Sequence, residues 1–427
     1  MGEMNVKELS AGRLRVFMQK LLTDLRALER MIDLGLIETG VRRIGAEQEV
    51  FLVERSRAPS FKAMEILSGL DSHFTTELGR FNMEFNLDPL DVTPDCLSRM
   101  EAQLEDLLSQ AREAAGRHGV DVLLIGILPT LEKSHLTLDN MSPQERYRAL
   151  NDAMHRLRGS EFEFRIKGAD ELTFQHDNVM VEACNTSFQV HFQVGAEEFP
   201  KLYNVAQAMA GPCLAPAVNS PLLFGRRLWR ETRIALFQQS VDTRQPTQHV
   251  REQRPRVSFG HQWIERSVIE IFQEDVARFR VLLGAEIDED PFEVLEQGGI
   301  PRLKALRLHN GTVYRWNRPC YGISDGKPHL RIENRVLPSG PTPLDEIANA
   351  AFWLGLVAGG LEEYGDPAKT MAFEHVKENF LAAARLGLQA QFHWPGQRQS
   401  IAAQELIVQE LLPLARSALL DHLSLAP

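Results

Sequence analysis

Glu47 and Glu49 lie two residues apart in the run IGAEQEVFLV, residues 44–53. In an extended chain alternate side chains share a face, so both carboxylates point the same way. Like charges that close raise each other's pKa unless a cation holds them. Magnesium, a hard ion that takes oxygen ligands octahedrally, suits such a pair and can share its shell with phosphate. Glu77 ends Thr75-Thr76-Glu77 and precedes a second run, in which Glu84 is flanked on its own face by Asn82 and Asn86. Those amides can hydrogen-bond a carboxylate or a water. Further on, Gln189 and His191 offer neutral ligands or donors, and Glu333 stands between Arg331 and Arg335. A guanidinium fork binds two phosphate oxygens at once. Clustered acids, a divalent metal and arginine are what phosphoryl transfer needs, because its catalysis is mainly positioning and electrostatic stabilisation.

Four extended segments must hold these groups: Ile44–Val53, Phe81–Leu87, Val179–Val194 and His329–Val336. Each alternates apolar residues with acids or hydrogen-bonding groups, so one sheet with an apolar face and a polar face is expected. Any antiparallel sheet with one wet face alternates in this way. The enrichment in Glu, His, Asn and Arg, in place of Thr, Ser and Lys, sets these four apart. Leu9, Leu14, Phe17, Leu21, Leu25, Leu28 and Ile32 predict a helix over about 7–34. Thr93-Pro94-Asp95 opens another that stops at Gly119, and Ser142-Pro143 opens one ending near Gly159. Val120–Ile127 reads as a buried strand. Glu198–Met209, Trp263–Leu283 and Leu344–Leu361 read as helices, and residues 344–427 as a largely helical segment broken at His393-Trp394-Pro395-Gly396. Thr243–Pro255 reads as a polar loop. The polar strands span most of the chain, so we expect one interwoven domain over 1–427. The class is α+β, a mainly antiparallel sheet with helices packed on one face.

Bulk composition narrows the field. The 427 residues are 44% hydrophobic and 25% charged, as in ordinary globular proteins. A formal net charge of -11 argues against nucleic acid as a partner. No stretch is long and apolar enough to span a bilayer, and the N-terminal residues lack a signal-peptide run, so a cytoplasmic location is expected. The four cysteines, Cys96, Cys184, Cys213 and Cys320, lie far apart and form no C-x-x-C, which points to reduced thiols. Cys184 and Cys213 read as core packing, and His176 with Asp177 as a solvated loop near the cleft. No P-loop, dinucleotide turn, H-E-x-x-H or G-x-S-x-G occurs.

Five pieces together resemble the glutamate–cysteine ligases and related carboxylate–amine ligases of the glutamine synthetase superfamily. They are IGAEQEVFLV (44–53), TTELGRFNMEFNLDP (75–89), NTSFQVHFQV (185–194), the long segment 203–237 containing NSP, and HLRIENRVLPSGPTPLDEIANAA (329–351). The resemblance implies a curved, mainly antiparallel half-barrel sheet with helices behind it. It implies an ATP-dependent reaction in which a carboxylate, in the family the γ-carboxylate of glutamate, becomes an acyl phosphate and is attacked by an amine. In the family this step can serve glutathione biosynthesis. Two or three Mg²⁺ ions, or Mn²⁺, would bridge ATP and the acids. By position, Glu47, Glu49, Glu77, Glu84 and Glu333 look like metal ligands, and either Gln189 or His191 joins them. Arg335 is expected at phosphate and Arg233 near the substrate, with Arg331, Asn82 and Asn219 as binding residues. Turn chemistry alone also accounts for Asn219. The segment 307–328 departs from the family's pattern, so the amine is left open. A guanidino-kinase-like phosphotransferase and a non-catalytic nucleotide-binding relative remain alternatives.

Overall fold

A computed structural model describes residues 11–244, 255–421, 423 and 425. Its centre is an eight-stranded, curled antiparallel half-barrel sheet. The strands are β1 (Arg43–Glu54), β2 (Phe74–Thr76), β3 (Asn82–Asn86), β4 (Leu90–Asp91), β5 (Val120–Leu123), β6 (Phe188–Val194), β7 (Asn317–Ser324) and β8 (Lys327–Asn334). Their order is β7-β8-β6-β1-β3-β2, and β1 is long enough to pair with β4 and β5 at its two ends as well.

Register decides which side chains share a face. Glu47 lies opposite Gln189 and Asn86, Glu49 opposite Glu84, and Glu333 opposite His191. All the predicted polar positions of the central strands therefore fall on one side. The other side carries Ala46, Gln48, Val50, Leu52, Met83, Phe85, Phe188, Val190, Phe192, Leu330 and Ile332, all buried. Gln48, the polar residue among them, donates to Ser339 Oγ and the carbonyl of Glu49, so its burial leaves no unpaired donor there.

The helices are α1 (Ala11–Asp33), α2 (Cys96–Gly116), α3 (Glu145–Arg158), α4 (Phe199–Ala217), α5 (Thr232–Ser240), α6 (Ile269–Arg278), α7 (Pro343–Tyr364), α8 (Phe373–Leu386) and α9 (Leu412–Asp421), with several shorter turns. Their ends follow local chemistry. Gly159 closes α3 in the left-handed region, and Thr342 caps α7 ahead of Pro343. α4 is buried along almost its whole length. It packs against α7 and α8, and α7 also packs on α9 and touches β6. A Cβ on Gly211 of α4 would sit 3.0–3.1 Å from the backbone of Asn379 and Phe380, so the small residue lets α4 and α8 approach closely.

Several local expectations need correction. Val179–Cys184 is a 3₁₀ segment started by the Asn178 side chain, not the first half of a strand. An apolar run of six residues carries no period that separates the two. α4 continues to Ala217, past Met209 and through Pro212 and Pro216. A proline usually interrupts a helix, but here packing on two sides keeps the segment helical. Only Ile269–Arg278 of the 263–283 stretch is helical. His176 is buried and bonded to Asn178 and the Leu136 carbonyl, and is not a solvated loop residue. Residues 7–10 of the N-terminal helix and 245–254 of the polar loop lie outside the described residues. No described helix is long and apolar enough to cross a membrane.

Candidate active site

Each acid reaches the site from a different local environment. Glu49 accepts from the Ser187 backbone N–H and from Gln189 Nε2, both at 2.7 Å. Glu84 accepts from Asn86 at 3.0 Å. Glu77 follows β2 directly, and that short strand pairs with β3 so that Thr75 faces Glu84. The result is one cluster in which a carboxylate oxygen from each of Glu49, Glu77 and Glu84 lies within 4.8 Å of the others. That donor set is all oxygen and suits a hard divalent cation.

Electrostatics agree with a site built for cations. Burial, then the charge of Glu84 and Glu49, pushes Glu77 well above the ordinary carboxyl range. Burial, then the charges of Glu47 and Glu49, lifts Glu84 to about 7. Burial likewise lifts Glu49 to about 7, with Glu182 adding to the rise and Arg335 opposing it. Without a counter-ion these carboxylates are held together against their own repulsion.

Beside this cluster lies a second group with the opposite character. His191 Nε2 stands 3.2 Å from Glu47 Oε1. Burial alone would raise Glu47, but His191 overcomes it and holds the carboxyl below its usual range. Glu333 is fully buried, and Arg318 grips it with two bonds of 2.9 and 2.8 Å. Arg335 Nη1 adds a bond of 2.5 Å, and the Cys320 thiol lies 2.9 Å from Oε2. Burial opposes ionisation of Glu333, yet the two arginines hold it well below the usual range. Gln189 bridges the two groups: its amide nitrogen donates to Glu49, and its oxygen accepts from Arg335.

The remaining predicted residues take distinct places. Arg331 reaches His191 Nδ1 at 3.4 Å and His329 Nε2 at 2.9 Å. With Glu47, Asn86, His191 and His329 it lines an open cleft of about 200 Å³. Arg233 is buried; it pairs with Glu231 at 3.1 Å and donates to the carbonyls of Arg335 and Val336. It thus fixes the chain that carries Arg335. Asn219 joins three loops, receiving a bond from Gly126, donating its backbone N–H to Glu231 and its amide to the Ser339 carbonyl. Asn82 lies on the face of Glu84, is buried at the Gly79 turn, and finds no partner for its amide.

Three groups escaped the reading of the sequence. Arg318 lies on β7, where the chain departs from the recognised pattern; only its register opposite Glu333 gives it away. Cys320 follows on the same face. Glu182 sits in the misassigned 179–184 segment, where an acid inside VMVEAC was the available signal. It lines a cramped pocket with Glu49, Arg233, Phe237, Trp316 and Arg335. Burial lifts its carboxyl to about 7, and no described side chain hydrogen-bonds it.

Comparisons with known proteins add an independent line. The model of glutamate-cysteine ligase family 2 (GCS2) matches residues 43–423. Among solved structures, the glutamate–cysteine ligase of Francisella tularensis in complex with AMP superposes with a TM-score of 0.54 at 12% identity, covering 90% of this chain and 79% of that one. A bifunctional glutathione synthetase from Pasteurella multocida gives a TM-score of 0.46 at 11% identity, covering 95% of this chain and 47% of that one. No curated protein sequence matches.

Proposed function

Because the chain belongs to glutamate-cysteine ligase family 2, an ATP-dependent family of ligases that form carbon–nitrogen bonds, we propose that it joins the γ-carboxylate of glutamate to an amine through an acyl phosphate, with Mg²⁺ as the metal. The observation that carries this reading is the convergence of Glu49, Glu77 and Glu84 on one point, beside Arg335 and the Glu47–His191 pair. The whole chain, 1–427, is read as one catalytic unit. Four buried free thiols support a reducing, cytoplasmic setting.

Glu49, Glu77 and Glu84 would hold one metal position. Glu47, His191 and Glu333 border a second, where both ring nitrogens of His191, like both ends of Gln189, already have protein partners. Bound Mg²⁺ would neutralise phosphate charge and align the transferring group. Arg335 uses Nη1 to bond Gln189 and Glu333, so Nε and Nη2, which bond no described residue, can receive the developing phosphate charge. Arg331, in the open cleft, suits the outer phosphates of ATP. Arg233 acts through the 335–336 backbone as a positioning residue.

The pH dependence has a definite sign. Glu49 and Glu84 are raised from 4.5 to about 7. The metal-free fold therefore binds more protons than the unfolded chain, and their contribution to stability is lost as pH rises through about 7. Magnesium competes with those protons, so the rise in Tm that it produces should be larger near pH 8 than near pH 5.5. Thermal melts with and without Mg²⁺ across that range measure it.

The decisive experiment is ADP release from Mg-ATP across a panel of amino acids and amines, with mass spectrometry of the products. ADP formation that needs both glutamate and an amine, with an amide product, is expected. ADP release without a carboxylate substrate, or a stable phosphorylated product with no amide, overturns the proposal. Cysteine as the amine would place the reaction in glutathione biosynthesis.

A further inference from the structure

We propose that His375, Glu378 and His393 form a surface site for a zinc-class divalent ion, separate from the acidic cluster. One ligand atom from each lies within 4.8 Å of the others. His375 and Glu378 stand three residues apart on α8, which places them on one face of that helix. His393 comes from the chain beyond it. The two imidazoles stack with centroids 4.3 Å apart and planes 18° apart, and His393 Nε2 is 3.4 Å from Glu378 Oε2.

The position of His393 is built, not incidental. Asn379, the residue after Glu378, is buried and holds the His393 backbone twice: its amide donates to the His393 carbonyl, and its oxygen accepts the His393 N–H, both at 2.8 Å. Phe392 and Trp394, on either side, are buried. An exposed imidazole is thus carried on fixed backbone, between two buried neighbours, beside two ligands on the helix. Preorganised ligands bind a metal without the ordering penalty that a floppy surface histidine carries.

Donor chemistry separates this site from the first. Two imidazoles and one carboxylate match zinc and its transition-metal neighbours, whereas magnesium favours the all-oxygen cluster. None of the three residues lines the active-site cleft or the pocket beside Glu182. All three are exposed, so further coordination positions open to solvent. A bound ion would tie α8 to the chain after β-strand Gln391–Phe392.

The test titrates Zn²⁺ into the untagged full chain by calorimetry, with excess Mg²⁺ to occupy the acidic cluster. His375→Ala and His393→Ala are measured alongside, and Co²⁺ serves as a spectroscopic probe. One zinc per chain is expected, with affinity reduced at least about tenfold in each variant, the lower bound for disturbing a metal's environment. Visible absorption from bound Co²⁺ should appear in the parent and be lost in the double variant. Unchanged metal-free melting temperatures show that the variants fold. Zinc binding that is absent, or equal in the parent and both variants, overturns the proposal, and it does so whatever the ADP-release screen finds.

Discussion

Glu77→Gln is expected to abolish turnover while leaving the metal-free protein at least as stable as its parent. Turnover should fall on the order of 10³-fold, the several kcal/mol of charge stabilisation that a correctly held metal supplies. The surroundings of Glu77 favour a neutral side chain. Burial, Glu84, Glu49 and Glu182 all push its carboxyl towards the neutral form. A neutral amide of the same shape reproduces that form and removes the repulsion that grows as pH rises. Each pKa unit of such strain corresponds to about 1.4 kcal/mol. The gain should therefore be small near pH 6 and larger near pH 8, while the stabilisation by Mg²⁺ disappears. A residue that serves only the fold would lose stability on substitution, so urea unfolding with and without Mg²⁺ separates the two roles. Loss of activity together with loss of metal-free stability would contradict the assignment.

The polar face was legible because period-two alternation is a local property. Glu47 with Glu49, and Glu84 between Asn82 and Asn86, announce their faces without knowledge of their neighbours. Strand order is not local. Nothing in residues 44–53 says that β1 pairs with β6 on one side and β3 on the other, yet that register is what sets Glu49 against Glu84. Arg318 shows the same limit. An arginine among Trp316, Asn317 and Pro319 reads as an ordinary edge residue until β7 folds back on β8 and delivers it to Glu333. The misread segments fail for another reason. Val179–Cys184 is too short and too apolar for its period to be informative, and α4 passes through two prolines because α7 and α8 confine it. Tertiary packing overrode local propensity at both places.

Glu333→Gln should behave in the opposite way to Glu77→Gln, although both acids sit at the same site and the family resemblance makes both metal ligands. Glu333 is fully buried and balances two guanidinium groups, Arg318 through two bonds and Arg335 through one. Burial and charge act against each other there, and charge prevails, because its carboxyl lies well below the usual range. An amide cannot accept from both arginines with its nitrogen side, so the substitution leaves buried positive charge without a partner. Breaking a buried ion pair from one side is expected to remove about 3–5 kcal/mol of stability. It also frees Arg335 from its anchor, so Gln189 loses its orientation and Glu49 the donor that Gln189 supplies. Activity loss in this variant would thus report collapse of the arginine network as much as loss of a ligand. Arg318→Met combined with Glu333→Gln removes one charge of each sign, and should recover part of the stability without recovering turnover. A single Glu333→Gln variant that melts with its parent would show that the arginines tolerate an amide, and the network would then have no structural role.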